Sequence, residues 1–310
     1  MFGVFWRRSR QKTPKKIFGG GEAAPKPPPH QPQHGVWGHA TIPQPPAERG
    51  DVMPDATVNG ITLHYADEGN GPPLLFLHAF PLSGAMWQPQ RTALSDQFRL
   101  IVPDLRGFGA TDVTPGPTTM EQHADDVAAL LDHLGLDQVA LCGLSMGGYI
   151  AMALLRRHPN RVSKLVLANT RANADSLEAQ AQREINATIA EAKGASTIAD
   201  MMIPALVAPH ADAHVRSMLR TIIEANPPAG IASALRGLAL RPDSLATLQS
   251  TTLPTLVIAG TDDAITPLDT ARVMHEAIPT SRLVIIPGAG HLSNLERPDD
   301  FTAALRSFLS

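Results

Sequence analysis

The stretch Gly143-Leu144-Ser145-Met146-Gly147-Gly148 constrains this chain more than any other part of it. It has the spacing G-x-S-x-G, and its flanks give that spacing a mechanical reason. Upstream, residues 138–142 form an apolar run, bounded by Gly135, that reads as a buried strand. Downstream, residues 149–157 read as a helix ending near His158-Pro159. A serine on a tight strand-to-helix turn needs glycines on both sides, because the backbone is strained and a Cβ has no room. The turn lifts the hydroxyl away from the sheet and sets it at the positive end of a helix. A serine hydroxyl is otherwise a poor nucleophile. The short pattern arises by chance in many chains, so its value depends on whether a base, an acid and oxyanion donors follow.

The rest of the chain supplies a frame for such a turn. From about residue 55, strands alternate with helices. Residues 56–65 read as a hairpin turning at Asn59-Gly60. Residues 73–78, 99–103, 164–168, 254–260 and 282–287 are apolar runs that read as strands, and residues 119–134 have helical periodicity. Unbroken apolar strands alternating with helices predict a mostly parallel sheet covered on both faces. Residues 171–245 interrupt the pattern with helical segments and no strand. That is too long for a loop. It reads as an all-helical cap inserted between a first core part (residues 55–170) and a second (residues 246–310), folding over the serine.

Residues 1–54 are a different material, rich in proline and with Gly19-Gly20-Gly21 between. They carry about eight Lys/Arg against about three Asp/Glu, although the whole chain of 310 residues has a formal charge of -3. Such a composition cannot bury enough apolar area to offset ordering entropy, so it reads as a disordered leader. Phe2, Phe5 and Trp6 beside Arg7, Arg8 and Arg10 are the groups there that would touch a membrane surface or a partner. No apolar h-region follows Arg7-Arg8, so the start does not read as an export signal. No run reaches the roughly 18 apolar residues of a membrane span. Those missing signals make a cytoplasmic location the expectation. The mild negative charge gives no case for a nucleic-acid partner. The single cysteine, Cys142, excludes an internal disulfide, and its place in a core strand reads as a small buried hydrophobe.

In an open α/β sheet, reacting groups sit on loops beyond the carboxyl ends of strands. Two late loops qualify, Gly260-Thr261-Asp262-Asp263-Ala264-Ile265-Thr266-Pro267 and Gly288-Ala289-Gly290-His291-Leu292. Of the twelve histidines, only His291 follows a core strand inside a glycine-rich loop, which makes it the expected base. His210 and His214 lie in the helical insertion and are the other histidines near enough to be weighed. The residues alone leave Asp262 and Asp263 open as the acid. Neither has a His/Asp/Glu cluster around it at metal-ligand spacing. An oxyanion hole needs two converging N–H groups, expected from Met146, directly after the serine, and from Phe80 in the loop His78-Ala79-Phe80-Pro81. His78, Asp104 and Arg106 are read as loop braces.

With these parts in place, the sequence from about residue 55 onward resembles the α/β-hydrolase superfamily. The likeness rests on His78-Ala79-Phe80-Pro81, Asp104-Leu105-Arg106-Gly107-Phe108-Gly109, the turn at Ser145, and Gly290-His291. In that family the acid follows G-x-x-D-x-x-x-P, which implies Asp263, between Gly260 and Pro267. One departure is Ala79, where the family usually has glycine; an alanine fits if its φ is negative. Within the superfamily the chain is most similar to small microbial carboxylesterases with a helical cap, a likeness carried by residues Cys142 to Tyr149, Leu165 to Asp175, Leu235 to Ser244 and Gly288 to Leu295, and it shares much with 3-oxoadipate enol-lactonases and cofactor-free haloperoxidases. A serine nucleophile argues against the epoxide hydrolases and haloalkane dehalogenases of this fold, which use aspartate.

The resulting expectation is a serine carboxylesterase for short- to medium-chain esters, with Ser145, Asp263 and His291 as the reacting set and no metal or organic cofactor. A lactonase or a perhydrolase is the alternative, and a non-catalytic ligand-binding protein on the same scaffold the remote one. The insertion's Met201, Met202, Ile203, Leu206, Val207, Met218, Leu219 and Ile222 suggest a flexible aliphatic pocket, unless they simply pack the cap onto the core.

Overall fold

The computed structural model describes residues 54–310. The leader expected over residues 1–54 lies, but for Pro54, outside the described residues. β1 (Asp55–Val58) and β2 (Ile61–Glu68) form the expected hairpin. Asn59 (φ 45°) and Gly60 (φ 77°) both adopt the left-handed conformation that a two-residue turn of this kind requires. β3 (Pro73–Leu77), β4 (Arg99–Pro103), β5 (Val139–Leu144), β6 (Val162–Ala168), β7 (Thr255–Gly260) and β8 (Ser281–Ile286) complete an eight-stranded sheet in the order β1-β2-β4-β3-β5-β6-β7-β8. β2 is antiparallel to both β1 and β4, and the other neighbours are parallel.

The strands read as continuous apolar runs because helices cover both faces. Leu75, Leu77, Leu141, Leu165 and Val257 point into one core. It is closed by α2 (Met120–His133), α3 (Met146–Arg157), α8 (Leu245–Ser250) and α9 (Leu268–Ala277), together with the inserted helices described below. Leu74, Phe76, Cys142, Val166 and Ile258 point into the other, beneath α1 (Gln88–Leu94), α10 (Ser293–Glu296) and α11 (Pro298–Leu309). Trp87 packs there between Phe76 and Phe301, with ring centroids 4.6 and 6.0 Å away.

Between β6 and α8 the chain makes four helices and no strand: α4 (Leu177–Lys193), α5 (Ala195–Leu206), α6 (Ala213–Glu224) and α7 (Pro228–Ala239). α4 packs on α7, and α5 on α6. The side chains of Ser176 and Asp212 cap α4 and α6, and Pro228 takes the first turn of α7, where its missing N–H costs no bond. Sequence periodicity expects helices over residues 174–193, 197–207 and 213–225, each within three residues of the observed ends, and a fourth beginning at Pro227-Pro228. It passes over α1, α8, α9 and α10, which have ten residues or fewer, a length at which periodicity does not separate helix from loop. No described helix is long and apolar enough to cross a membrane.

Strand order sets where chemistry can occur. β4 and β5 flank β3 on opposite sides, so the loops after β3 and β5 part and leave a crevice at the carboxyl edge. The register pairs Leu77 with Gly143, bringing the loop at Phe80 beside the turn at Ser145. α3 can lie this close to β3 only because Gly147 has no side chain. A Cβ there would stand 2.1 Å from the Leu77 carbonyl oxygen, and one at Gly143 would stand 2.3 Å from the Gly147 carbonyl oxygen. Gly147→Ala is expected to cost about 1–3 kcal/mol of stability by overpacking, read as a lower urea midpoint. An unchanged midpoint would contradict the close approach.

Candidate active site

Ser145 joins β5 to α3 with φ 54° and ψ −112°, a region a non-glycine residue enters at a cost of order 1–3 kcal/mol. The surroundings hold it there. Its N–H donates to the Ala168 carbonyl (3.0 Å). Its own carbonyl accepts from Thr170 Oγ1 (2.8 Å) and from the N–H groups of Gly148 and Tyr149. The buried hydroxyl lies 2.8 Å from His291 Nε2.

His291 comes from the loop after β8, and its Nδ1 stands 2.9 Å from Asp263 Oδ2. Asp263, in the loop after β7, is buried among donors. The N–H groups of Ile265 and Thr266 both donate to Oδ1 at 2.8 Å. Thr266 Oγ1 (2.5 Å) and Asn169 Nδ2 (2.9 Å) donate to Oδ2. Burial pushes this carboxyl up, but the hydrogen bond and charge of His291, together with Thr266, outweigh it and bring it down to about 2. An ionised carboxylate only accepts, so Nδ1 must carry the His291 proton. The Nε2 lone pair of the neutral ring then faces Ser145, whose hydroxyl donates. Asp262 is instead part-exposed and accepts from Thr261 Oγ1. Geometry therefore pairs Asp263, and not its neighbour, with His291.

The N–H groups expected to hold an oxyanion are both idle. Met146 opens α3, where a helix leaves its first N–H groups without internal partners. The Phe80 N–H donates to no described residue. Ala79 escapes strain, since Asn59, Ser145 and Asn169 are the described non-glycine residues with positive φ. Its N–H donates to Met86 Sδ. The loop is braced from below by His78, which accepts from the Leu105 N–H at Nε2 and bonds the Ala79 carbonyl through Nδ1, both at 3.0 Å. Burial pulls the His78 pKa down to about 4, so the brace is neutral at ordinary pH. Asp104 accepts from the Gly84 and Ala110 N–H groups, and Arg106 makes a two-pronged pair with buried Asp126. Cys142 is fully buried, and burial raises its thiol well above the ordinary range, so it stays protonated.

A cavity of about 70 Å³ opens on Ser145 and His291. Of the two readings of the insertion's apolar residues, its lining favours packing of the cap onto the core. Of the eight residues named, only Met202 and Leu206 reach the cavity. Ile203, Val207, Leu219 and Ile222 are buried in packing, and Met201 is largely exposed. Arg171 and Arg183 line the wall instead. His210 is exposed and bonds the Gly288 carbonyl, away from the serine. Sequence reasoning also missed Asn169, whose side chain ties the Asp263 carboxylate to the Gly290 carbonyl and accepts from Ser293. The available signal was position: Asn169-Thr170-Arg171 leaves the carboxyl end of β6, where a site is expected.

Comparison with known proteins agrees with this layout. The family model for the alpha/beta hydrolase fold matches residues 72–298. A 3-oxoadipate enol-lactonase of Acinetobacter baylyi is 31% identical over 82% of this chain and 95% of its own. Among solved structures, a thermophilic esterase from Thermogutta terrifontis with malate bound superposes with TM-score 0.80 at 43% identity, covering 83% of this chain and 97% of that one. An enol-lactonase from Burkholderia xenovorans gives TM-score 0.76 at 34% identity, over 83% and 99%.

The depressed Asp263 pKa makes a prediction about stability. A carboxyl at 3.8 when unfolded and about 2 when folded stabilises fully above pH 4 and loses that contribution as pH falls through 2. The urea midpoint of the wild type should therefore drop more steeply between pH 4 and pH 2 than that of Asp263→Asn. The difference should be roughly 2 kcal/mol. Parallel curves would contradict the placement.

Proposed function

The chain belongs to the α/β-hydrolase family, and from that premise we propose that it is a serine hydrolase cleaving carboxylic esters through an acyl-enzyme on Ser145. The observation that carries this reading is the 2.8 Å contact between Ser145 Oγ and His291 Nε2, with Asp263 bonded behind the ring. As an ester carbonyl approaches, His291 takes the Ser145 proton while the oxygen attacks the carbonyl carbon. The negative oxygen that forms is received by the Phe80 and Met146 N–H groups, each such donor typically stabilising the transition state by about 2.7–4 kcal/mol. Asp263 holds the ring in its tautomer and balances the imidazolium. His291 then gives the proton to the departing alcohol. A water molecule, deprotonated by the same nitrogen, attacks the acyl group and frees the serine.

A second reading has its own support. Relatives named as enol-lactonases match over most of this chain. A lactone is a cyclic ester, so every step above applies, except that the leaving alkoxide stays tethered to the acyl group. A panel of p-nitrophenyl esters and enol-lactones, compared by kcat/KM, ranks the two.

Ser145→Ala should lower kcat on p-nitrophenyl butyrate by roughly 10³- to 10⁶-fold while the circular dichroism spectrum stays that of the wild type. Turnover near the wild-type rate would end the serine mechanism.

A further inference from the structure

Beside the serine, three arginines share one carboxylate, and two of them face the cavity. The Asp175 side chain is fully buried and accepts from Arg171 Nη2 (2.8 Å), Arg241 Nη2 (2.7 Å) and Arg183 Nε. Burial works against its charge, but the hydrogen bonds of Arg241 and Arg183 prevail and hold the carboxyl far below the usual range. Asp175 is therefore ionised at any working pH and balances one positive charge of three. No other described carboxylate lies within 4.0 Å of these guanidinium groups.

The three cations are not equivalent. Arg241 is committed: it stacks 4.3 Å over the Tyr149 ring and donates to the Leu238 and Asn173 carbonyls. Arg171 and Arg183 each meet Asp175 through one nitrogen and have no other described acceptor. A guanidinium carries five N–H donors, and most of theirs bond no described residue. The Arg171 Nε is buried with no partner, as is that of Arg241, but only Arg171 and Arg183 face the cavity. Both side chains line the cavity of Ser145 and His291, where the remaining wall is largely apolar. Unpaired donors and excess positive charge against apolar walls are costly unless an anion answers them. The fork of a guanidinium fits a carboxylate with two parallel bonds.

We propose that Arg171 and Arg183 form a carboxylate-binding subsite, so that the substrate is an ester or lactone bearing a free carboxylate. This rests on the serine-hydrolase reading and names its substrate class. Arg171 lies in the loop that follows β6 and Arg183 on α4, with Asp175 fixing the spacing between them. The carboxylate of a bound half-ester is held against this pair while its scissile carbonyl lies at Ser145.

The test compares monomethyl glutarate with dimethyl glutarate, followed by pH-stat on the full chain. The wild type should favour the charged half-ester in kcat/KM by about tenfold or more at low salt, and the preference should shrink as KCl is raised. Arg183→Met and Arg171→Met should each collapse the ratio, and Arg183→Lys should keep part of it. The ratio is internal to each variant, so a partial loss of folded protein cancels. Faster hydrolysis of the diester by the wild type, or a ratio that survives both substitutions, would overturn the subsite. Calorimetric titration of Ser145→Ala with the same two esters separates this from the chemistry. Binding of the half-ester alone, lost on adding Arg183→Met, upholds the subsite even if the serine mechanism fails. Turnover of neutral esters with equal binding of both sinks the subsite and leaves the mechanism standing.

Discussion

The carboxyl edge of this sheet depends on one close approach, that of α3 to β3 at Gly147. The helix can start directly against the Leu77 carbonyl only where no Cβ intervenes. That proximity leaves Ser145 in the left-handed region and turns its hydroxyl out of the sheet. It also puts the unpaired Met146 N–H next to the loop that carries Phe80, because β3 and β5 are paired in register at Leu77 and Gly143. Strain at one residue is thus a consequence of helix–strand packing. The bonds from Ala168 and Thr170 keep it from relaxing.

The second half of the site is held by a different device. Ser145 and His291 are 146 positions apart, and Asp263 lies 28 before the histidine. Nothing local joins them. What joins them is that β5, β6, β7 and β8 are parallel neighbours, so the loops after β5, β7 and β8 open on one edge. Asn169, from the loop after β6, crosses that edge. It bonds both the Asp263 carboxylate and the Gly290 carbonyl, so two loops are set by one amide. Buried carboxylate charge is tolerated because four donors besides His291 surround it. Opposite, Asp175 ties the two ends of the insertion and α4 together through arginines, and the same ion cluster gives the cavity wall its positive charge.

Much of this was legible in the sequence where backbone periodicity or strand-end position carried the signal. The hairpin at Asn59-Gly60, the parallel strands and the four inserted helices follow from apolar patterning and turn chemistry. The meeting of Ser145, Asp263 and His291 follows from their place after core strands, with the choice between Asp262 and Asp263 supplied by family likeness. The polar wall was not legible. Arg171, Asp175, Arg183 and Arg241 are spread over a loop, a helix and a second loop, and each alone reads as an ordinary surface charge. The fold brings the three arginines onto the one carboxylate of Asp175. The aliphatic residues of the insertion left two readings open for the complementary reason. Hydrophobic pattern marks what is buried, and most of it is buried against the protein itself.

The central claim is that the Ser145 oxygen is the atom that takes the acyl group. Its most direct test is mass spectrometry of the protein quenched in acid within the first turnover of a p-nitrophenyl ester, with peptide mapping. The account predicts the acyl mass on the peptide containing Ser145, together with a burst of p-nitrophenol matching the enzyme present. A burst with the acyl group on another side chain, or hydrolysis with no acylated peptide and no burst, would contradict it.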